Sequence, residues 1–145
     1  TIGATVVALV LADGHWLALW AGDSRLYRLR DGCIEMLSTD HSVVAELVTN
    51  GTMSWDEAER HPQSNQITRA VGVGEVLELE KVHGEMLSGD RFLLCSDGLS
   101  KYATFNQLRA AISDAPIETL AEKLIQIALD GGGADNISVI VVDVI

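Results

Sequence analysis

An antiparallel α+β layered fold is what this sequence predicts, and three observations predict it. Strand-like runs joined by tight turns fill the first part of the chain, two helical patterns cluster near its end, and no regular β-α alternation connects them. The run His15–Trp20 is apolar on both faces, Trp16 and Trp20 on one and Leu17 and Leu19 on the other, as in a strand covered on both sides of a sandwich. The 145 residues are enough for one domain or part of one, and 48% hydrophobic with 21% charged residues marks a globular chain with a sizeable core.

The elements follow in order. Thr5–Leu11 is an apolar strand, Asp13-Gly14 a hairpin turn and His15–Trp20 the returning strand. Gly22-Asp23-Ser24 breaks the pattern; Arg25–Arg30, the turn Asp31-Gly32 and Cys33–Leu37 complete a meander. Helical spacing takes over from Ser42 to Asn50, with Gly51 as C-cap. Ser54 and Glu57 then form a capping box for a short acidic helix that stops before Pro62. This helical pair interrupts two β regions and reads as a mobile surface excursion. Strands are expected again at Gln66–Ala70, Val76–Val82 and Arg91–Cys95. Thr104 and Gln107 open a helix with a second capping box, and Ile117, Leu120, Ala121, Leu124 and Ala128 form the apolar stripe of a longer one. Three glycines stop that helix, and the run from Ser138 to Val144 is the last strand.

Charge and cysteine usage exclude several classes. Ten basic against 21 acidic residues give a net charge of -11, which speaks against nucleic acid or an anionic membrane surface as partner. No apolar run is long enough to cross a bilayer, and no signal peptide opens the chain. Cys33 and Cys95 stand far apart in strand contexts and read as buried free thiols of a cytoplasmic protein. Phosphate-loop, dinucleotide, zinc-protease and nucleophile-elbow signatures are absent, and the four histidines lack zinc-like spacing.

What remains is a set of carboxylates at strand ends. Asp97 follows the apolar run Arg91–Cys95, Asp135 precedes the run into Val144, and Asp23 sits between two meander strands. An ionised group at the end of a strand buried on both faces needs a partner. Oxygen donors without His or Cys suit hard cations such as Mg²⁺ or Mn²⁺, and a glycine alongside lets the backbone approach closely. The alternative is that these are loop aspartates capping backbone amides.

Five strings in one order carry a resemblance: Trp20-Ala21-Gly22-Asp23-Ser24-Arg25, Asp40-His41-Ser42, Ile67-Thr68-Arg69-Ala70-Val71-Gly72, Cys95-Ser96-Asp97-Gly98-Leu99 and Asp135-Asn136-Ile137-Ser138. Together they resemble the metal-dependent serine/threonine protein phosphatases, the PPM or type 2C family, in its compact bacterial branch. The resemblance implies an antiparallel β-sandwich flanked by helices in α-β-β-α layers, with a binuclear Mn²⁺ or Mg²⁺ centre at one edge and a third metal held more weakly. It implies that Asp97 and Asp135 ligate metal, that Asp23 serves the third ion, and that Gly98, Asn136 and Ser24 support them. It also implies that residues 42–65 form a flap beside the cleft. The activity implied is hydrolysis of phosphoserine and phosphothreonine in a phosphorylated protein substrate, by a hydroxide that two cations share.

The resemblance covers the central and C-terminal part of the family domain. Thr1-Ile2-Gly3-Ala4-Thr5-Val6-Val7 is similar to an interior G-x-T-x-V strand, and the upstream D-G-x-G-G motif and phosphate-holding arginine have no counterpart. Asp13-Gly14-His15 lacks the following glycines and reads as a turn. The expectation is therefore a partial phosphatase domain over residues 1–145, its N-terminal portion missing and inactive alone, the missing strands either lost by truncation or proteolysis or supplied by a partner chain or symmetry mate. A non-catalytic phosphatase-like regulatory or binding module is the alternative function.

Overall fold

The computed structural model describes residues 3–145. Thr1 and Ile2, which precede the G-x-T-x-V string, lie outside them. Among the described residues, seven strands form two antiparallel sheets. The first sheet has the order β1-β2-β5, from Val6–Ala12, His15–Ala21 and Glu80–Glu85. The second has the order β4-β3-β6-β7, from Cys33–Met36, Arg25–Arg30, Arg91–Cys95 and Val139–Asp143. Both predicted hairpins form, and Asp13 and Asp31 take φ of 52° and 51°, the left-handed geometry that two-residue turns matching the strand twist require.

Alternation along the strands builds two cores. Trp16, Ala18 and Trp20 of β2 meet Leu26, Phe92 and Leu94 across the sandwich, with Trp16 and Phe92 tilted at 6.5 Å between ring centroids. The other face of the second sheet, with Tyr27, Leu93 and Cys95, packs under α4 (Phe105–Asp114) and α5 (Ile117–Asp130). Leu120, Leu124 and Ala128 of the predicted stripe are fully buried there. Both capping boxes are present, Ser54 with Glu57 and Thr104 with Gln107. The outer face of β1-β2-β5 carries no helix among the described residues, so Leu17 and Leu19 are half-buried and Val10 is 48% exposed.

Four local expectations change. Gln66–Ala70 is not a ladder strand: Gln66 N–H closes a local turn on the Gln63 carbonyl, and the segment meets its neighbour through Val43 N–H to the Gln66 carbonyl and Thr68 N–H to the His41 carbonyl, with one bridge between Ser42 and Ile67. Strand β5 starts at Glu80 rather than Val76, because β2 offers partners only from Trp20 to His15, and Val76 stays 75% exposed. Cys33 is exposed rather than buried, since it follows the Asp31-Gly32 turn on edge strand β4; Cys95 is buried and both thiols are free. The last strand, β7, packs Val139 and Val141 against the helix-covered core and Val142 against the sandwich core, but it lies at the sheet edge and Ile140 is 60% exposed rather than buried. An open, mainly apolar groove of about 340 Å³ runs between Thr5–Val7 and Ser138–Ile140, along the free edges of β1 and β7. No helix among the described residues is long and apolar enough to cross a membrane.

Candidate metal centre

Strand register assembles the site. Arg25 opposes Cys95, and Cys95 opposes Val139, so the start of β3, the end of β6 and the start of β7 lie at one sheet edge. The loops bearing Asp23, Asp97 and Asp135 therefore emerge side by side. Three bonds stitch the last two loops together: Ser96 N–H donates to the Ser138 carbonyl at 3.0 Å, Ser138 N–H donates to Ser96 Oγ at 3.0 Å, and the Ser96 hydroxyl donates to the Asn136 carbonyl at 3.4 Å. Gly98 makes this approach possible, since a Cβ there would stand 2.0 Å from the Asn136 carbonyl oxygen.

Asp97 is not in a simple turn. It is the first residue of a four-residue helix, α3 (Asp97–Ser100), too short to show periodicity in the sequence. The next turn of backbone brings Lys101 back over Asp97, with Nζ 3.1 Å from Asp97 Oδ2. The same Nζ lies 3.9 Å from Asp135 Oδ2. Two carboxylates distant along the chain thus face one cation. Burial opposes the Lys101 charge, but the Asp97 hydrogen bond and the Asp97, Asp135 and Asp23 charges hold its pKa above the ordinary value. Asp135 Oδ1 also accepts from Asn136 N–H at 2.8 Å, which restricts the carboxylate.

Asp23 lies on the same edge and is 9% exposed. Burial first, then the charges of Asp97 and Asp40, push its carboxyl up to about 6. Its supporting neighbour Ser24 shares a 2.8 Å hydrogen bond with the Thr5 hydroxyl at the start of β1. Among the described residues, no three His, Cys, Asp or Glu side chains converge into a cage for an ion. The edge is a partial, all-oxygen donor set in which an ammonium meets two of the three acids. That chemistry suits a hard divalent cation.

Behind the acids lies a buried charge network that the sequence strings contain but do not announce. Arg25 is 2% exposed; its Nε and Nη2 donate to both Asp40 oxygens at 2.8–3.2 Å, Nη1 donates to Tyr27 Oη at 2.9 Å, and Nη2 donates to Glu59 Oε1 at 2.7 Å. Trp55 covers the guanidinium at 5.1 Å. Glu59 and Trp55 belong to the segment that holds the short helices α1 (Ala45–Thr49) and α2 (Trp55–Ala58), so the surface excursion is clipped to the acidic edge. A further tie runs from Phe105 N–H to Asp56 Oδ1 at 3.3 Å. Sequence reasoning missed Lys101, Asp40 and Glu59 as parts of this edge. Lys101 stands four residues after Asp97, a helical spacing that could have flagged it.

Comparison with known proteins identifies the family. The family model for protein phosphatase 2C matches residues 1–137. The chain belongs to that family. The serine/threonine protein phosphatase PstP of Mycobacterium tuberculosis is 38% identical over 144 residues, covering 99% of this chain and 28% of PstP. Among solved structures, PppA, a key regulatory component of T6SS in Pseudomonas aeruginosa, superposes with a TM-score of 0.86 at 44% identity, over 98% of this chain and 57% of that one. The catalytic domain of PstP in complex with two manganese ions gives 0.85 at 37% identity, over 97% of this chain and 58% of that domain. The chain thus spans well under two thirds of these relatives, and the family's antiparallel sheets and helices are those described above.

Proposed function

We propose that this chain is the metal-bearing central and C-terminal part of a serine/threonine phosphoprotein phosphatase, with Asp97 and Asp135 as ligands of a divalent cation and Asp23 as ligand of a further one. One observation carries the reading: Asp97 and Asp135, from separate loops, turn to the same Lys101 ammonium. A pair of acids gathered on a cation, with only oxygen donors around it, fits Mn²⁺ or Mg²⁺. The manganese-bound PstP domain adds support, as do the phosphatase names of the relatives against the non-catalytic alternative.

Bound there, divalent cations supply Lewis acidity that lowers the pKa of water and stabilises charge on a transferring phosphoryl group. The chain's own residues do the positioning. The Ser96–Ser138 stitches fix the spacing of Asp97 and Asp135, Gly98 permits it, and Asn136 N–H orients the Asp135 carboxylate. Lys101 offsets the acids' repulsion, and its ammonium occupies the position beside Asp97 and Asp135 that a cation would take. Residues 42–65 act as a flap against this edge, and the substrate is a phosphorylated protein in the cytoplasm, where free Cys33 and Cys95 persist. Strands of a partner chain would add to the free edges of β1 and β7.

Paramagnetic broadening by Mn²⁺ in amide NMR spectra of this chain tests the assignment. Broadening should centre on residues 96–99 and 134–137 and disappear in Asp97→Asn and Asp135→Asn, while Asp23→Asn removes only a weaker component. Broadening that ignores both substitutions refutes the ligand set. In the whole phosphatase, Asp97→Ala or Asp135→Ala should lower release of phosphate from a phosphothreonine peptide by about 100-fold or more, as when a group that stabilises transition-state charge is removed.

A further inference from the structure

His41 sits in the Asp40-His41-Ser42 string, and its ring has no role among the acids above. It is 9% exposed and stacks on Trp20, with ring centroids 6.0 Å apart and planes 16° apart. Two bonds join it to the loop that carries Asp23. Its backbone N–H donates to the Gly22 carbonyl at 2.9 Å, and the Gly22 N–H donates to its ring nitrogen Nδ1 at 3.0 Å. Its carbonyl accepts from Thr68 N–H at 2.8 Å. One residue thus holds Gly22 from both sides of the peptide and ties it to the segment that returns from the flap.

Only glycine fits at position 22. Its φ is +113°, and a Cβ there would stand 2.5 Å from Thr5 Cγ2. Glycine by itself adopts many backbone conformations, so the direction in which this loop aims Asp23 is set by the bonds made to Gly22 from outside. An Nδ1 that accepts a hydrogen bond must be unprotonated, which places the ring proton on Nε2. Nε2 is buried and unpartnered, 3.6 Å from Glu80 Oε1. Burial, then the Arg69 charge, lower the ring's pKa and keep it neutral, against Glu80 and Asp40.

We infer that His41 is a positioning residue: its neutral Nε2–H tautomer, accepting at Nδ1 from Gly22, holds the loop that presents Asp23 to the acidic edge. The clamp itself is read from hydrogen bonds; its consequence for a cation rests on the ligand reading proposed above.

Asparagine puts an amide oxygen near the place of Nδ1, whereas glutamine puts its polar end near Nε2 and leucine offers no acceptor. Hydrogen exchange and imidazole ¹⁵N spectra of the full chain therefore separate the clamp from mere packing. Nδ1 of the unsubstituted chain should show the shift of an unprotonated nitrogen coupled to the Gly22 amide. Exchange at Gly22 and Asp23 should be unchanged in His41→Asn and about tenfold faster in His41→Leu and His41→Gln, the scale of one net hydrogen bond. Core amides of β6 serve as the folding control. A ring protonated at Nδ1 overturns the inference, and so does Gly22 protection that survives in His41→Leu. Because the ring spectra need only the unsubstituted chain, they decide even where His41→Leu fails to fold. Mn²⁺ is titrated alongside: loss of its weaker Asp23-dependent component in His41→Leu but not in His41→Asn extends the clamp to metal. An unsubstituted chain that takes up no Mn²⁺ refutes the ligand reading, and the exchange data still decide on His41.

Discussion

Two arginines near the ends of β3 each grip an aspartate through two nitrogens, yet the carboxylates respond in opposite directions. At the far end, Arg30 Nε and Nη2 donate to Asp90 at 2.7 and 2.6 Å, and Leu87 N–H adds a third donor at 2.9 Å. The Arg30 hydrogen bond, chief among these, pulls the Asp90 pKa below its ordinary value. At the acidic edge, burial outweighs Arg25, so the Asp40 pKa is raised and Glu59 is pushed up to about 7. The far pair is a clasp with donors to spare. The near one shares a single guanidinium between two acids, with Asp23 and Asp97 close by, and is short of positive charge. The difference shows that ion-pair geometry alone does not fix how a carboxylate titrates: burial and the number of donors decide it.

The comparison breaks most visibly if Arg25 is removed. Arg25→Ala leaves Asp40 and Glu59 buried without their cation and should destabilise the chain by roughly 3–5 kcal/mol in urea unfolding. A loss under 1 kcal/mol would mean that the network carries no structural weight. Gly98→Ala comes next: the added methyl meets the Asn136 backbone rather than a yielding side chain, for about 2–3 kcal/mol of overpacking and a wider Asp97–Asp135 spacing. Arg30→Ala should cost less, about 2 kcal/mol, because Asp90 keeps the Leu87 amide and the arginine is 26% exposed. Equal losses for Arg25→Ala and Arg30→Ala would erase the distinction between the ends.

The smallest effects sharpen it through pH. Glu59 has a folded pKa of about 7 against an ordinary 4.5, so folding favours its protonated form. Its contribution is fully present below pH 4.5 and is lost as pH rises through about 7, so metal-free stability falls across that window. Glu59→Gln should flatten the fall. Asp90 runs the other way: its contribution is present above the ordinary 3.8 and is lost as pH drops through its lowered folded value. Asp90→Asn should remove that acid limb and leave the neutral window untouched. Urea midpoints from pH 3 to 8 read both.

Much of this was legible from local pattern. The Asp-Gly hairpins, both capping boxes and the Leu120–Leu124–Ala128 stripe depend on residues a few positions apart, and they form as read. The strings around Asp23, Asp97 and Asp135 were legible as acids at strand ends. Their meeting place was not, because it depends on the β3-β6-β7 register. Val76–Leu79 shows the reverse failure, apolar alternation without a neighbouring strand to pair it. Cys33 went wrong for a related reason, since edge position is a property of the sheet.

Sequence by itself determined the α+β class, the order of strands and helices, the acidic character and the three aspartates that define the edge, because each is written in composition, short-range periodicity or a turn of two residues. Only the tertiary structure decided that Lys101 faces two of those acids, that Arg25 is shared between Asp40 and Glu59, and that His41 closes on Gly22. These are contacts between segments far apart along the chain. Their energies depend on burial and on which charges crowd together, and both exist only once the sheets have packed.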